Sequence, residues 1–305
     1  MQRREFLMTT AGLVGLAGTT RLAAQQPNQA ALDRIAMMTL NFTSLLTTPH
    51  QQPSPDRTLD FLDLPQMYAD TYGVHHIELQ HYHMASTDPS YFRALRRRMD
   101  QAKSKAVQLV VEFGGLNISA PDHNFLPRLQ AVDLTNVWID RCAILGCPRI
   151  MVNQGQPSED NRQHAVETLK LMADYGRSKG VMVTLETRGG GGGGRRGGAA
   201  GADAPPAPSP ESVWTLLNDI AKSAGAFINI DLGGTRATSQ EQLHAALRDL
   251  LPNASGSMHV KQSANWDLAT ALRYIESLGY AGIYSIEARG HEATRQIYDT
   301  ILANI

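Results

Sequence analysis

The chain has 305 residues, 42% hydrophobic and 19% charged, and a formal net charge of −1 at pH 7. That composition supports one large apolar core and argues against a nucleic-acid partner, which leaves a basic footprint. The basic run Arg96-Arg97-Arg98 falls on an expected helix and reads as a solvated face. The two cysteines, Cys142 and Cys147, match no zinc or thioredoxin-like spacing and read as buried thiols. A disulfide between them needs a geometry that sequence does not show.

The chain begins with a leader. Arg3-Arg4 supplies the positive start, Ala11 to Gly18 a short apolar middle, and Leu22-Ala23-Ala24 a small-residue end. This is the pattern of a signal peptide over residues 1–24, cut near Ala24. The apolar run is too short to span a bilayer stably. Arg3-Arg4 ahead of Phe6-Leu7, weak hydrophobicity and Arg21 near the cut resemble the twin-arginine export motif, a route for folded proteins. The expected product is periplasmic or otherwise exported, with no stable membrane span after cleavage. An ordinary Sec signal or an uncleaved anchor is the alternative.

From residue 25 to 305 short apolar strands alternate with amphipathic helices. The first strand is expected at 34–40, followed by a polar loop, Thr43–Pro55, read as part of a lid, and a helix near 61–72. His76–Gln80 is the second strand and Tyr91–Ser104 a helix; Val107–Phe113 is the third strand and Leu134–Leu145 a helix. Arg149–Asn153 is the fourth strand, and the helix after it, near Asn161–Lys179, ends at Gly180, where a left-handed residue belongs. Val181–Glu186 is the fifth strand, followed by a helix over Pro210–Ala224 with Ser209 as N-cap. The last three strands are 226–231, 257–261 and 283–287, with helices at 239–251, 266–278 and 292–305.

Strands alternating with helices imply βαβ units and a parallel sheet, and eight units in this length fit a single-domain (β/α)8 TIM barrel. An open doubly wound sheet competes, but no GxGxxG turn follows the first strand. Gly189 to Pro210 stands apart: runs of glycine, Arg195-Arg196, then Pro205-Pro206 and Pro208. Such a composition buries little apolar area and is expected to be a flexible insertion inside the one domain. It is either inert or a flap that brings Arg195 and Arg196 to an anionic substrate.

Glu186, Asp231, His259 and Glu287 fall at or next to the ends of the fifth to eighth strands. The interval from Asp231 to His259 equals that from His259 to Glu287, one strand–helix repeat. Barrel closure gathers such ends on one face, where active sites form. Three convergent carboxylates repel unless a cation joins them. Carboxylates with one imidazole make a largely hard site, suited to Mn2+ or Mg2+, with Co2+ or Zn2+ admitted.

Val183-Thr184-Leu185-Glu186, Asn229-Ile230-Asp231-Leu232-Gly233, Met258-His259-Val260-Lys261 and Tyr280 to Glu287 resemble the xylose isomerase-like TIM-barrel family of sugar isomerases and epimerases. Gly73 to Leu79 resembles that family's second-strand segment. The resemblance spans nearly all of the chain after the leader. It implies that Glu186, Asp231, His259 and Glu287 hold one divalent metal, and that Glu186 and Glu287 exchange protons with a carbon beside a carbonyl. Many relatives have a histidine three positions after the sixth-strand aspartate, where this chain has Gly234; many have an aspartate where this chain has Gln262.

Glu78, His81, Asn153, Arg188 and Lys261 are the candidate substrate contacts, with His83 and Glu112 behind them. The implied activity is a metal-dependent isomerisation or epimerisation of a sugar or keto-sugar. Export argues against phosphorylated substrates. A 3-keto-glycoside lyase or hydrolase, or a non-catalytic sugar-binding barrel, is the alternative, and homo-oligomerisation is left open.

Overall fold

The computed structural model describes residues 28–48, 52–114, 116–152, 155, 157–187 and 208–305. The expected leader, the glycine-rich stretch up to residue 207, Asn153 and Arg188 lie outside the described residues.

Eight parallel strands close into a barrel, as expected. They are β1 (Ile35–Met38), β2 (His76–Gln80), β3 (Lys105–Val111), β4 (Arg149–Val152), β5 (Met182–Glu186), β6 (Phe227–Asp231), β7 (Ala254–Val260) and β8 (Ile283–Ile286). Each pairs with its neighbours in sequence order, and β1 with β8 completes the ring. The helices between them are α1 (Leu64–Tyr72), α2 (Pro89–Gln101), α3 (Leu126–Leu145), α4 (Arg162–Ser178), α5 (Pro210–Ala224), α6 (Gln240–Leu250), α7 (Leu268–Ser277) and α8 (Gly290–Leu302). No helix of the described residues is long and apolar enough to cross a membrane.

Local chemistry sets the helix ends. Ser209 accepts from Ser212 N–H at the start of α5 and Pro210 opens its first turn, as the sequence predicts. Gly180, just past α4, has φ +72°, the left-handed conformation expected there. α3 begins eight residues before its expected start, at Leu126, with Pro127 in its first turn. Leu126, Leu129, Leu134 and Val137 on this helix are exposed while Ala131, Thr135 and Trp138 are buried, which blurs its apolar period. The polar loop after β1 holds a short parallel strand pair, Leu46–Thr47 with Leu59–Asp60. Cys142 and Cys147 are buried, unbridged thiols.

The two faces of the barrel wall differ sharply. Strand positions facing the helices are apolar and join the main core: Ile77, Leu79, Leu109, Ile150, Val183, Ile228, Met258, Tyr284 and their like. The alternate positions include Glu78, Gln108, Thr184, Asn229, Ser257 and Ser285, all buried. Gln108 on β3 donates to Asn229 Oδ1 on β6 at 3.0 Å, although those strands are not neighbours, so these side chains meet inside the barrel. Period-two alternation thus separates an apolar outer core from a polar interior.

Arginines hold the opposite rim. Arg149, opening β4, donates to the carbonyls of Ser255 (2.6 Å) and Val107 (3.2 Å), tying β3 and β7 through β4. Gly256, at φ +81°, leaves room for it: a Cβ there would lie 3.0 Å from the guanidinium. Arg34, just before β1, meets Glu276 of α7 through both Nη atoms, at 2.8 and 2.7 Å, and the carbonyls of Tyr280 and Gly282. Tyr284 donates to the same carboxylate. Burial works to raise the Glu276 pKa, but hydrogen bonds from Arg34 and Tyr284 outweigh it and hold it below the usual range.

Arg34→Met removes this clasp where the ring closes and is expected to cost about 1–3 kcal/mol, less than a fully buried pair because the site is partly exposed. A depressed carboxyl pKa contributes stability above the unfolded value that is lost as pH falls through the folded one. The deficit of the variant, read from urea midpoints, is therefore full near neutrality and shrinks in acid. A deficit that stays constant to low pH would refute the assignment.

Candidate metal centre

Barrel closure brings the four strand-end residues onto one face. Glu186 ends β5, Asp231 ends β6, His259 is the penultimate residue of β7 and Glu287 follows β8 directly. Asp231 lies in register with His259, and Glu287 N–H donates to Val260 O at 2.9 Å. Thr187 latches the first two ends together: its hydroxyl accepts from Asp231 N–H at 2.9 Å and donates to Asp231 O at 3.2 Å.

Glu186, Asp231 and His259 are buried, and their ligand atoms lie within 4.8 Å of one another. His259 Nδ1 is 3.1 Å from Glu186 Oε1 and 3.6 Å from Glu287 Oε2. Its other nitrogen, Nε2, is 2.6 Å from Glu78 Oε1, which reaches it from β2 across the barrel. Glu78, a candidate substrate contact, has no exposed surface and one oxygen on His259. Gln108 Nε2 approaches the same His259 nitrogen at 3.4 Å.

The charges here are interdependent. Burial alone would push the His259 pKa down, but the charge of Glu78 and the hydrogen bond and charge of Glu186 hold it well above the usual histidine range. Burial likewise works to raise Glu78, and the imidazolium more than offsets it. Lys261, two residues past His259, has Nζ 3.0 Å from Asp231 Oδ2 and 2.7 Å from Glu287 Oε2. Burial lowers its pKa, and those two carboxylates raise it by more. Glu287, expected as a fourth ligand, stands at the edge of the three-residue cluster with one oxygen engaged by Lys261.

The turn after β6 allows this crowding. Gly233 N–H donates to Asp231 Oδ1 at 3.0 Å. A Cβ on Gly233 would come 2.6 Å from Lys261 Cδ, and one on Gly234 would come 2.8 Å from Asp231 Oδ2. The family's frequent histidine at the second position therefore cannot enter this backbone without moving the Asp231 carboxylate.

The other candidates are dispersed. His81 packs edge-on to Phe113 and Trp138, with ring centroids 5.1 and 5.5 Å away, and its Nδ1 accepts from Glu112 N–H. Burial takes its pKa down to about 4, against a smaller upward pull from Glu112, so it is neutral at pH 7. His83 bridges the Thr39 and Thr43 hydroxyls beneath the end of β1. Sequence reasoning missed Gln108 and Asn229; the signal for them was a polar residue inside each of two otherwise apolar strands.

The donor set fits a divalent cation: two buried carboxylates and an imidazole, with a third carboxylate at the edge. Glu78 on the far nitrogen supplies the outer carboxylate that metal-bound histidines commonly have.

Comparisons with known proteins accord with this architecture. A structure of D-psicose 3-epimerase with D-tagatose from Clostridium cellulolyticum H10 has a TM-score of 0.62 at 10% identity, covering 89% of this chain and 95% of that one. A xylose isomerase domain protein from Planctomyces limnophilus gives 0.58 at 16% identity, over 88% and 94% of the two chains. An AP endonuclease, family 2, from Brucella melitensis gives 0.58 at 14%, over 87% and 96%. No curated protein matches the chain. The model of one family, described as xylose isomerase-like TIM barrel, matches residues 68–303, and the chain belongs to that family.

Proposed function

We propose that this protein is an exported, divalent-metal-dependent enzyme of the sugar isomerase and epimerase kind, acting on a carbon beside the carbonyl of a sugar or keto-sugar. The observation that carries the proposal is the placement of His259, with Nδ1 beside Glu186 and Glu287 and Nε2 fixed by Glu78. Glu186, Asp231 and His259 would hold the ion, Mn2+ or Mg2+ by preference and Co2+ or Zn2+ as alternatives, with Glu287 as the fourth ligand. The sugar-epimerase names among the structural neighbours support the substrate class.

A bound cation supplies polarisation of a carbonyl and its neighbouring hydroxyl. Glu186 and Glu287 form the proton-transfer pair: one takes the proton from the carbon, and the other returns it. Lys261, released from Glu287, donates to the oxygen that gains negative charge. Asn153 and Arg188 remain proposed contacts to hydroxyl or anionic oxygen. Elimination from a 3-keto-glycoside uses the same abstraction and is the second reading; Gly234, in place of a side chain that often touches substrate in relatives, sets this chain apart from simple keto-sugar epimerases.

Metal-loaded protein is expected to wash deuterium from solvent into the carbon beside the carbonyl of at least one keto-sugar. Glu186→Gln and Glu287→Gln should each lower that exchange by about 10²–10⁴-fold. Glu287→Gln should keep more metal than Glu186→Gln, because Glu287 stands at the cluster's edge. Exchange with no polyhydroxy carbonyl compound across a broad panel would sink the proposal.

Because the His259 pKa is raised, metal must displace a proton from Nδ1. Calorimetry in buffers of different ionisation enthalpy should show about one proton released per ion, with affinity falling as pH drops. Glu78→Gln should weaken metal binding about 10–100-fold near neutrality and move the pH dependence to lower pH. Metal uptake that ignores pH would count against His259 as ligand.

Export through the twin-arginine route predicts a mature chain that starts at Gln25. N-terminal sequencing of protein recovered outside the cytoplasm checks this, and a start at Met1 there would contradict it.

A further inference from the structure

A concave surface opens between the end of β1 and the start of α8. It has a volume of about 410 Å³ and is lined by Asn41, Thr43, Ser44, Arg57, Arg289 and Gly290. Two arginines line it, and no carboxylate is among its lining residues. Arg57 is held on the wall by the carbonyls of Thr43 and Leu46, at 3.0 and 3.1 Å from Nη1. Arg289 is exposed and forms no ion pair among the described residues.

Two other features supply donors. Asn41 is 1% exposed; its Oδ1 accepts from Ala288 N–H at 2.9 Å, and its Nδ2 has no partner. A buried amide N–H is costly unless something accepts from it. The 13-residue helix α8 begins at Gly290, and its N-cap Arg289 makes no side-chain capping bond. Its first N–H groups and its dipole therefore favour an anion at this end. Glu292, the acidic residue of that first turn, is exposed and does not line the cavity. His291 is turned away, its Nδ1 paired with Tyr72 Oη at 3.0 Å and its ring against Phe42.

Arg289 and Asn41 are coupled to the proposed chemistry through the backbone. Ala288, whose N–H Asn41 holds, lies between Glu287 and Arg289. From this we infer that the cavity is an oxyanion subsite, and that the substrate carries a carboxylate or phosphate at the end remote from the carbon that exchanges its proton. TIM barrels often bind phosphate where the last βα loops meet a helix N-terminus; here Arg289 and a buried amide add to that geometry. The guanidinium of Arg289 suits either planar or tetrahedral oxyanions. The inference rests on the proposed sugar activity for its account of what else the ligand carries, but the anion subsite is testable alone.

The test is calorimetric titration of the metal-loaded full-length mature protein with inorganic phosphate, D-glucuronate and D-glucose, with metal content measured on the same samples. The expected result is binding of at least one anionic probe more tightly than glucose. Arg289→Gln should weaken that binding about tenfold or more, and Arg289→Lys should recover part of it. Tighter binding of glucuronate than of phosphate assigns a sugar acid, and the reverse order assigns a sugar phosphate. Metal content should be the same in wild type and Arg289→Gln, and equal urea midpoints show that both are folded. Equal affinity for glucose and both anions, or anion binding untouched by Arg289→Gln, overturns the subsite. Loss of metal from wild type with anion binding intact would instead count against the metal-enzyme proposal and leave the subsite standing.

Discussion

The His259 imidazole, clamped between Glu78 and Glu186, is the interaction on which the candidate metal centre depends. Four carboxylates gather there, from β2, β5, β6 and just after β8, in surroundings that exclude most water. Unpaired, they would resist ionisation and push the barrel rim apart. His259 and Lys261, both on or just after β7, interleave with them: the imidazole touches Glu78 and Glu186, and the ammonium touches Asp231 and Glu287. One strand thus carries the positive charges that reconcile carboxylates brought from the others. Removing either cation would leave buried negative charge without compensation, which is far costlier than deleting a whole pair.

This arrangement needs a rigid ring beneath it. The opposite rim is tied by Arg34 and Arg149 to backbone carbonyls and to Glu276, and the outer wall is a continuous apolar core. Between the two rims, Gln108 and Asn229 span the barrel and bear on His259. The polar interior is therefore continuous with the site, so second-layer groups there orient the ring nitrogens directly. The stabilising and reactive ends separate as expected for this architecture, in which strand C-termini carry the chemistry.

The order of the elements was readable because parallel strands buried on both faces give compact apolar runs, and helices between them give a longer period. Glu186, Asp231, His259 and Glu287 were readable because each ends or follows such a run. The role of Glu78 was not. Its contact with His259 crosses the barrel from β2 to β7, and no local pattern encodes which carboxylate meets which ring. The engagement of Glu287 by Lys261 was hidden for the same reason, since it depends on the space left by Gly233. The early start of α3 escaped because its first turns expose leucines to solvent, which defeats a search for one apolar face. Asn41 gave no signal at all: one amide in a polar loop acquires meaning only when Ala288, far away in sequence, comes to lie against it.

Cavity size alone would point elsewhere. A hollow of about 710 Å³ lies at the opposite rim, bordered by Arg149, Leu251, Pro252, Leu278, Tyr280 and Gly282. Its polar members have structural work. Arg149 is spent on the carbonyls of Ser255 and Val107, and Tyr280 donates to Ile283 O. Burial pushes that phenol far above neutrality, so it offers no proton acceptor at physiological pH. No carboxylate or imidazole lines this hollow. At the other end four carboxylates, an imidazole and an ammonium meet with mutually dependent charges. Convergent titratable groups are a better guide to a functional site than volume, and the described residues that could together hold a metal ion lie at the ends of β5, β6 and β7.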